Sequence, residues 1–242
     1  MNTAEILTEE MTAMFDENQA KHLAKFFKTG KGEYGEGDMF LGIKVPVTRA
    51  LVKKYRNVVS VTDIEKLITS RWHEIRLAGF LLLTELYKMS VKNKNKLEEG
   101  LLVDFYLGNI DKGNNWDLVD LISPNILGDR IVRNPDFSHI CFELSGKAGY
   151  LWHQRVAIVS TLSLIRNGRF DVTFKISEKY LIHSHDLIHK ATGWMLREIG
   201  KRGGRAELIE FLEKNKSSMP RTMLRYAIEK FPLEERKYFM KK

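Results

Sequence analysis

Apolar residues recur at spacings of three and four along almost the whole chain, and runs of strict alternation are nearly absent. That period puts one apolar stripe on each of a long series of helices and predicts an all-α protein. Ile6, Met11 and Met14 mark a first helix with Asn2 or Thr3 as its cap, and Leu23, Phe26 and Phe27 mark a second. Thr29 to Val45 is the one long irregular stretch, and it is rich in glycine. Pro46 opens a third helix from its first turn, with Val47, Leu51 and Tyr55 following. Beyond it the periodic segments come in pairs with short connections: 62–70 and 73–88, 94–108 and 114–126, 136–145 and 151–166, 171–182 and 186–202, 205–215 and 219–230. Pro232 to Lys242 reads as a short charged helix or a frayed end.

The second helices of several pairs resemble one another near their starts. His73-Glu74-Ile75-Arg76, Trp152-His153-Gln154-Arg155 and Leu187-Ile188-His189-Lys190 each carry a cation in the first turn or two, and Pro220-Arg221 opens another helix in the same way. The gaps between these cations are 79, 35 and 31 residues, and the first is close to two steps of about 40 with the Trp116 helix between them. A helical hairpin repeated at that length predicts an α-solenoid of HEAT-like repeats. Each pair buries its stripe only against its neighbours, and the stack curves to leave a concave inner face. With 242 residues, 43% of them hydrophobic, the chain is long enough to form one such domain over 1–242.

The charge gives that face a partner. From Lys147 onward there are 20 basic and 10 acidic residues, against 19 and 21 in residues 1–146, so the excess of cations sits in the last two-fifths of the chain. That asymmetry points to a polyanion. A cation in the first turns of a helix opposes the helix dipole by about 0.3–1 kcal/mol. Repeating the arrangement makes sense where helix N-termini and cations meet phosphates together. Glu74 offers Arg76 a local partner, whereas none is evident in the sequence near Arg155 or Lys190. Arg76, Arg155, Lys190 and Arg221 are therefore candidate phosphate contacts, and Arg197 joins them below.

Other signals narrow the class. The acidic start MNTAEILTEEM has no basic segment followed by an apolar one, so no signal peptide is expected. The longest apolar run, Leu77 to Leu83, is far too short to span a bilayer. Cys141 is the one cysteine, which excludes a disulfide within the chain and a cysteine-ligated metal cluster and fits a reducing cytoplasm. Gly30-Lys31-Gly32-Glu33-Tyr34-Gly35 matches the dinucleotide fingerprint in letters only. No strand precedes it, no helix starts at its third glycine, and Glu33, Glu36 and Asp38 repel phosphate. His183, His185 and His189 lie at a turn between helices, and no carboxylate or cysteine completes a metal site around them. Neither a cofactor nor a metal is expected.

The chemistry concentrates in Gly113-Asn114-Asn115-Trp116-Asp117-Leu118-Val119-Asp120. Trp116 and Asp120 are four apart, so on a helix they share one face, one turn apart. An indole face beside a carboxylate suits a group that is or becomes cationic. A core tryptophan with Asp120 toward solvent is the plainer reading of the octapeptide alone. Lys190, Trp194 and Arg197 sit at i, i+4 and i+7, an aromatic between two cations on one helix face, which suits a sugar-phosphate backbone. Trp152 reads as core and Trp72 as structural.

Four segments in this order resemble the AlkD-like DNA alkylation repair enzymes, which are HEAT-like-repeat DNA glycosylases. They are Tyr34-Gly-Glu-Gly-Asp-Met-Phe-Leu-Gly-Ile43 with Pro46 and Arg49, Asn115-Trp-Asp-Leu-Val-Asp120, Trp152-His-Gln-Arg-Val-Ala157, and Gly193-Trp-Met-Leu-Arg-Glu198. The resemblance runs over nearly the whole length. It implies that Trp116 and Trp194 cradle the deoxyribose of the damaged nucleotide and that Asp120 lies beside the scissile glycosidic bond. It also implies that Arg155 grips the DNA at the lesion and that Arg197 approaches the backbone. The implied activity is excision of cationic N3- and N7-alkylated purines from double-stranded DNA by a monofunctional enzyme, with no membrane involved and a monomer sufficient. A DNA-binding solenoid without catalysis and a protein-binding HEAT scaffold are the alternatives, and the Trp116–Asp120 pair favours the enzyme.

Overall fold

The computed structural model describes residues 2–241. Among them every regular element is helical, and the one pairing of extended backbone is an isolated parallel bridge between Met39 and Trp72. No helix among the described residues is long and apolar enough to cross a membrane. The chain divides into two compact units, Met1–Ile122 and Ser123–Lys242. In each, hairpins stack in chain order, the arrangement of an α-solenoid.

The first unit holds α1 (Thr3–Thr12), α2 (Glu17–Phe26), α3 (Val45–Tyr55), α4 (Val61–Ile68), α5 (His73–Lys92), α6 (Lys96–Gly108) and α7 (Trp116–Ile122). Side chains start most of them. Asn2 and Glu5 form a reciprocal cap on α1, Ser60 and Asp63 one on α4, and Asp16 and Asn95 cap α2 and α6. Pro46 lies in the first turn of α3, as its sequence predicts. Asp63 also accepts from the Ala4 N–H at 3.1 Å, which ties α1 to α4. The helix at the centre is α5. It packs against α3, α4, α6 and α7 and is buried on every side from His73 to Thr84. An all-round buried helix has no polar face, so charged residues on it need partners inside the protein.

The second unit holds α8 (Leu127–Arg133), α9 (Ser138–Gly146), α10 (Leu151–Arg166), α11 (Asp171–Lys179), α12 (Asp186–Lys201), α13 (Arg205–Asn215), α14 (Arg221–Ala227) and α15 (Leu233–Met240). Here α10 packs on α12 and α12 on α14, while α9, α11 and α13 each complete a hairpin. Gly193 lets α12 and α14 approach, because a Cβ there would lie 2.4 Å from the Met223 carbonyl oxygen. The periodic pattern does not announce α8. It has seven residues between Pro124 and Pro135, too few to display a stripe, and it is held by packing on α10.

Candidate active site

The start of α7 is assembled from distant parts of the first unit. The glycine-rich segment is a pinned loop that folds back on α5. Glu74, in the first turn of α5, is buried, and its two carboxylate oxygens accept from the backbone N–H groups of Leu41 (2.9 Å), Gly42 (2.8 Å) and Ile43 (3.1 Å). The His73 N–H donates to the Met39 carbonyl at 2.8 Å. Gly42 is obligatory here: its φ is +87°, and a Cβ would lie 2.4 Å from the Asp16 carbonyl oxygen. Glu33 and Glu36 close the loop on itself by accepting from the Gly30 and Gly32 N–H groups.

Beneath that loop lies a buried quartet of charges. Arg76 donates to Asp38 at 2.5 Å, to Asn114 Oδ1 at 2.8 Å and to the Ser70 carbonyl at 2.9 Å. His73 faces Asp38 through Nδ1 at 2.8 Å and Asp117 through Nε2 at 2.9 Å. Burial works to lower the His73 pKa, but the Asp117 and Asp38 carboxylates outweigh it and raise the value to about 9. Burial works to raise Asp38, but His73 and Arg76 hold it below the ordinary carboxylate value. Arg76, expected to meet phosphate, is only 6% exposed and committed to Asp38. It is a buried structural cation, and its partner is Asp38 rather than the adjacent Glu74. The residue that offsets its charge lies 38 positions away along the chain, out of reach of any comparison within the helix.

Asn114 and Asp117, so held, bracket Trp116. Its indole is half-buried, stacked on Phe27 with centroids 5.2 Å apart and edge-on to Phe26 at 6.0 Å. Phe27 stacks in turn on Phe40 at 5.2 Å, and Phe40 on the His73 ring at 4.6 Å. The tryptophan is thus neither a fully buried core residue nor a loose surface ring. The helix also separates its two carboxylates. Asp117 faces inward to His73, whereas Asp120 is half-buried on the face it shares with Trp116, one turn on. The sequence offers Glu74 as a partner for Arg76 and Asp38 as a group that repels phosphate, but it does not disclose that His73 joins Asp38 to Asp117 or that Glu74 holds the loop amides, because those partners lie 31 to 44 positions apart.

In the second unit, Lys190, Trp194 and Arg197 lie along α12. Trp194 is half-buried. Lys190 does have a local partner, Asp186 at 2.7 Å one turn back, contrary to the expectation from sequence, and the Lys190 side chain is partly exposed. Arg197 pairs with Glu229 and lies 3.8 Å from Glu198. Arg155 on α10 is 5% exposed, and its Nη1 donates to the Leu187 carbonyl in the first turn of α12 at 2.6 Å. Arg221 is exposed and donates to the Met240 carbonyl at 2.9 Å.

His183, His185 and His189 bond the backbone around the start of α12. His183 Nδ1 accepts from the His185 N–H, His185 Nδ1 accepts from the Leu187 N–H at the start of α12, and His189 Nε2 donates to the His183 carbonyl. Burial, and then the neighbouring histidines, lower the His183 pKa, in keeping with its role as an acceptor. His183 and His185 also line a cleft of about 510 Å³ with Lys179, Gln154 and Ser145. Among the described residues no group of three His, Cys, Asp or Glu is arranged to hold a metal.

Known proteins agree with this picture. The family model described as DNA alkylation repair enzyme matches residues 7–231. Among solved structures, a protein described as a predicted DNA alkylation repair enzyme from Enterococcus faecalis is similar with a TM-score of 0.70. It is 18% identical, over 91% of this chain and 98% of that one, a likeness of fold. No curated protein matches. With the match running from α1 to the end of the α14 segment, and the helical hairpins and the Trp116 helix lying inside it, the chain belongs to the family of DNA alkylation repair enzymes.

Proposed function

We propose that this protein is a monofunctional DNA glycosylase that excises cationic N3- and N7-alkylated purines from double-stranded DNA. The observation that carries the reading is the division of labour on α7. Asp117 is consumed by His73, and Asp120 keeps partial exposure one turn from a half-buried indole. Trp116 and Asp120 are assigned to the sugar of the damaged nucleotide, with Trp194 as the second aromatic. Lys190, Arg197 and Arg221 are assigned to the phosphate backbone; Arg155, expected at the lesion, is 5% exposed and holds the Leu187 carbonyl at the start of α12, so it is assigned to positioning that helix rather than to contact with DNA. The net positive charge of the later part of the chain supports a polyanion partner.

An N7- or N3-alkylated purine carries a positive charge, so it departs without being protonated. The C1′–N bond breaks, its electron pair stays with the base, and the base leaves neutral. Positive charge moves onto the sugar as an oxocarbenium-like ion. The Asp120 carboxylate stabilises that ion and orients the water whose oxygen bonds to C1′; the water's surplus proton passes to solvent. Each indole adds about 0.5–2 kcal/mol of cation–π stabilisation. One carboxylate suffices, and uncharged lesions with poor leaving groups react slowly.

The test is release of base from duplex DNA carrying N7-methylguanine or N3-methyladenine under single-turnover conditions. Asp120→Asn is expected to slow it by about 10²–10³-fold. Release at the spontaneous rate by the native protein, or an Asp120→Asn variant as fast as native, removes the assignment. Salt-dependent DNA binding without release would identify a non-catalytic binder instead.

A further inference from the structure

Both ring nitrogens of His73 face carboxylates, Asp38 at 2.8 Å and Asp117 at 2.9 Å, and the ring is 2% exposed. An ionised carboxylate accepts and does not donate, so both nitrogens must carry hydrogen, which only the imidazolium form provides. The other charges around it fit that form. Arg76 donates to Asp38, so two cations and two anions balance inside the unit, while Glu74 is turned to the loop amides. The other groups against the ring are the aromatic faces of Phe27 and Phe40.

This cation holds Trp116 twice. Asp117, the next residue, is bonded to it directly. The indole itself rests on Phe27, then Phe40, then the His73 ring. Asp38 fastens the glycine-rich loop to the same ring. We propose that His73 is a positioning residue whose buried imidazolium ties the loop to the first turn of α7 and thereby fixes where Trp116 and Asp120 stand during base release. As a claim about catalysis this rests on the glycosylase reading; as a claim about geometry it does not.

Removing the ring proton would set a nitrogen lone pair against a carboxylate and leave the quartet with an unbalanced buried negative charge. Asp117 relieves this by turning away, and the first turn of α7 moves with it. The raised pKa keeps the clasp closed at neutral pH and opens it near pH 9.

The test uses imidazole nitrogen NMR on the native protein, with His73 assigned by its loss in His73→Gln and the Trp116 indole N–H assigned by Trp116→Phe. Expected are two protonated ring nitrogens at pH 7, deprotonation with a midpoint near 9, and a Trp116 indole signal that moves with the same midpoint. A bare His73 nitrogen at pH 7, or a Trp116 signal that stays fixed while His73 titrates, overturns the proposal. In single-turnover base release, His73→Gln should be slower by about ten- to a hundredfold. It should keep affinity for intact duplex within about twofold and lose the alkaline fall in rate expected of the native protein near pH 9. A His73→Gln variant with native rate and native alkaline fall also overturns it. If His73→Gln does not fold, the native titration decides. If the native protein releases no base, the glycosylase reading falls and the coupled His73–Trp116 titration still decides the clasp.

Discussion

Glu74→Gln is the sharpest test of how the loop is held. The change keeps size and shape. In the native protein Oε1 accepts from Gly42 and Ile43 and Oε2 accepts from Leu41, at 2.8, 3.1 and 2.9 Å. A glutamine that keeps its oxygen toward Gly42 and Ile43 turns its NH2 against the Leu41 N–H, so one bond is replaced by two opposed donors. The two that remain lose their charge assistance. Hydrogen bonds to charged groups contribute about 1.5–3 kcal/mol each and neutral ones about 0.5–1.5. The relief of burying a neutral amide in place of a carboxylate offsets part of the loss. The net cost comes to about 2–4 kcal/mol, or about 4–16 °C in Tm for a chain of this size. Urea denaturation measures the first quantity. Amide hydrogen exchange at Leu41, Gly42 and Ile43 measures the local one and should accelerate by about a hundredfold, since 1.4 kcal/mol is tenfold. A Glu74→Gln protein within 0.5 kcal/mol of native, with those three amides still protected, would refute the argument that this carboxylate anchors the loop.

Other consequences follow from the same geometry. Gly193→Ala should cost about 1–3 kcal/mol, because its Cβ meets the Met223 carbonyl at 2.4 Å and Tyr226 Cβ at 2.5 Å and α12 must move off α14; a native melting temperature contradicts this. The pH dependence of stability has a definite sign. His73 is raised from 6.5 to about 9, so its contribution is complete below 6.5 and is lost as pH rises through 9; Asp38 is lowered from 3.8, so its contribution is present above that value and lost in stronger acid. Urea stability of the native protein should therefore decline between pH 7 and 10, and His73→Gln should flatten the decline; parallel curves would show that another group is responsible. Arg76→Ala should lose about 3–5 kcal/mol of stability by leaving Asp38 buried without its cation. It should leave the slope of log affinity for DNA against log salt unchanged. Arg221→Ala should do the reverse, lowering that slope by about 0.9 in fluorescence anisotropy with little change in stability.

Much of the fold was legible before any coordinates, because a helical stripe is a local property. The helices at 151–166 and 205–215, the proline start of α3 and the Asn2 cap follow from residues a few positions apart. So does the placing of Trp116 and Asp120 one turn apart on a single helix. The short α8 was missed because seven residues between two prolines cannot show a period, and its helicity comes from packing on α10. What only the tertiary structure decided is which charges are used up inside. Arg76 and Lys190 look alike in sequence, each a cation early in a second helix. One is buried on Asp38 and the other is partly exposed beside Asp186. Asp117 and Asp120 lie three residues apart; Asp117 faces His73, and Asp120 is half-buried one turn on from Trp116. The partners in these choices are 35 to 44 residues away along the chain for His73 and 38 for Arg76. Local periodicity carries no information at that separation. Burial makes pairing obligatory and leaves to the folded chain the selection of each partner.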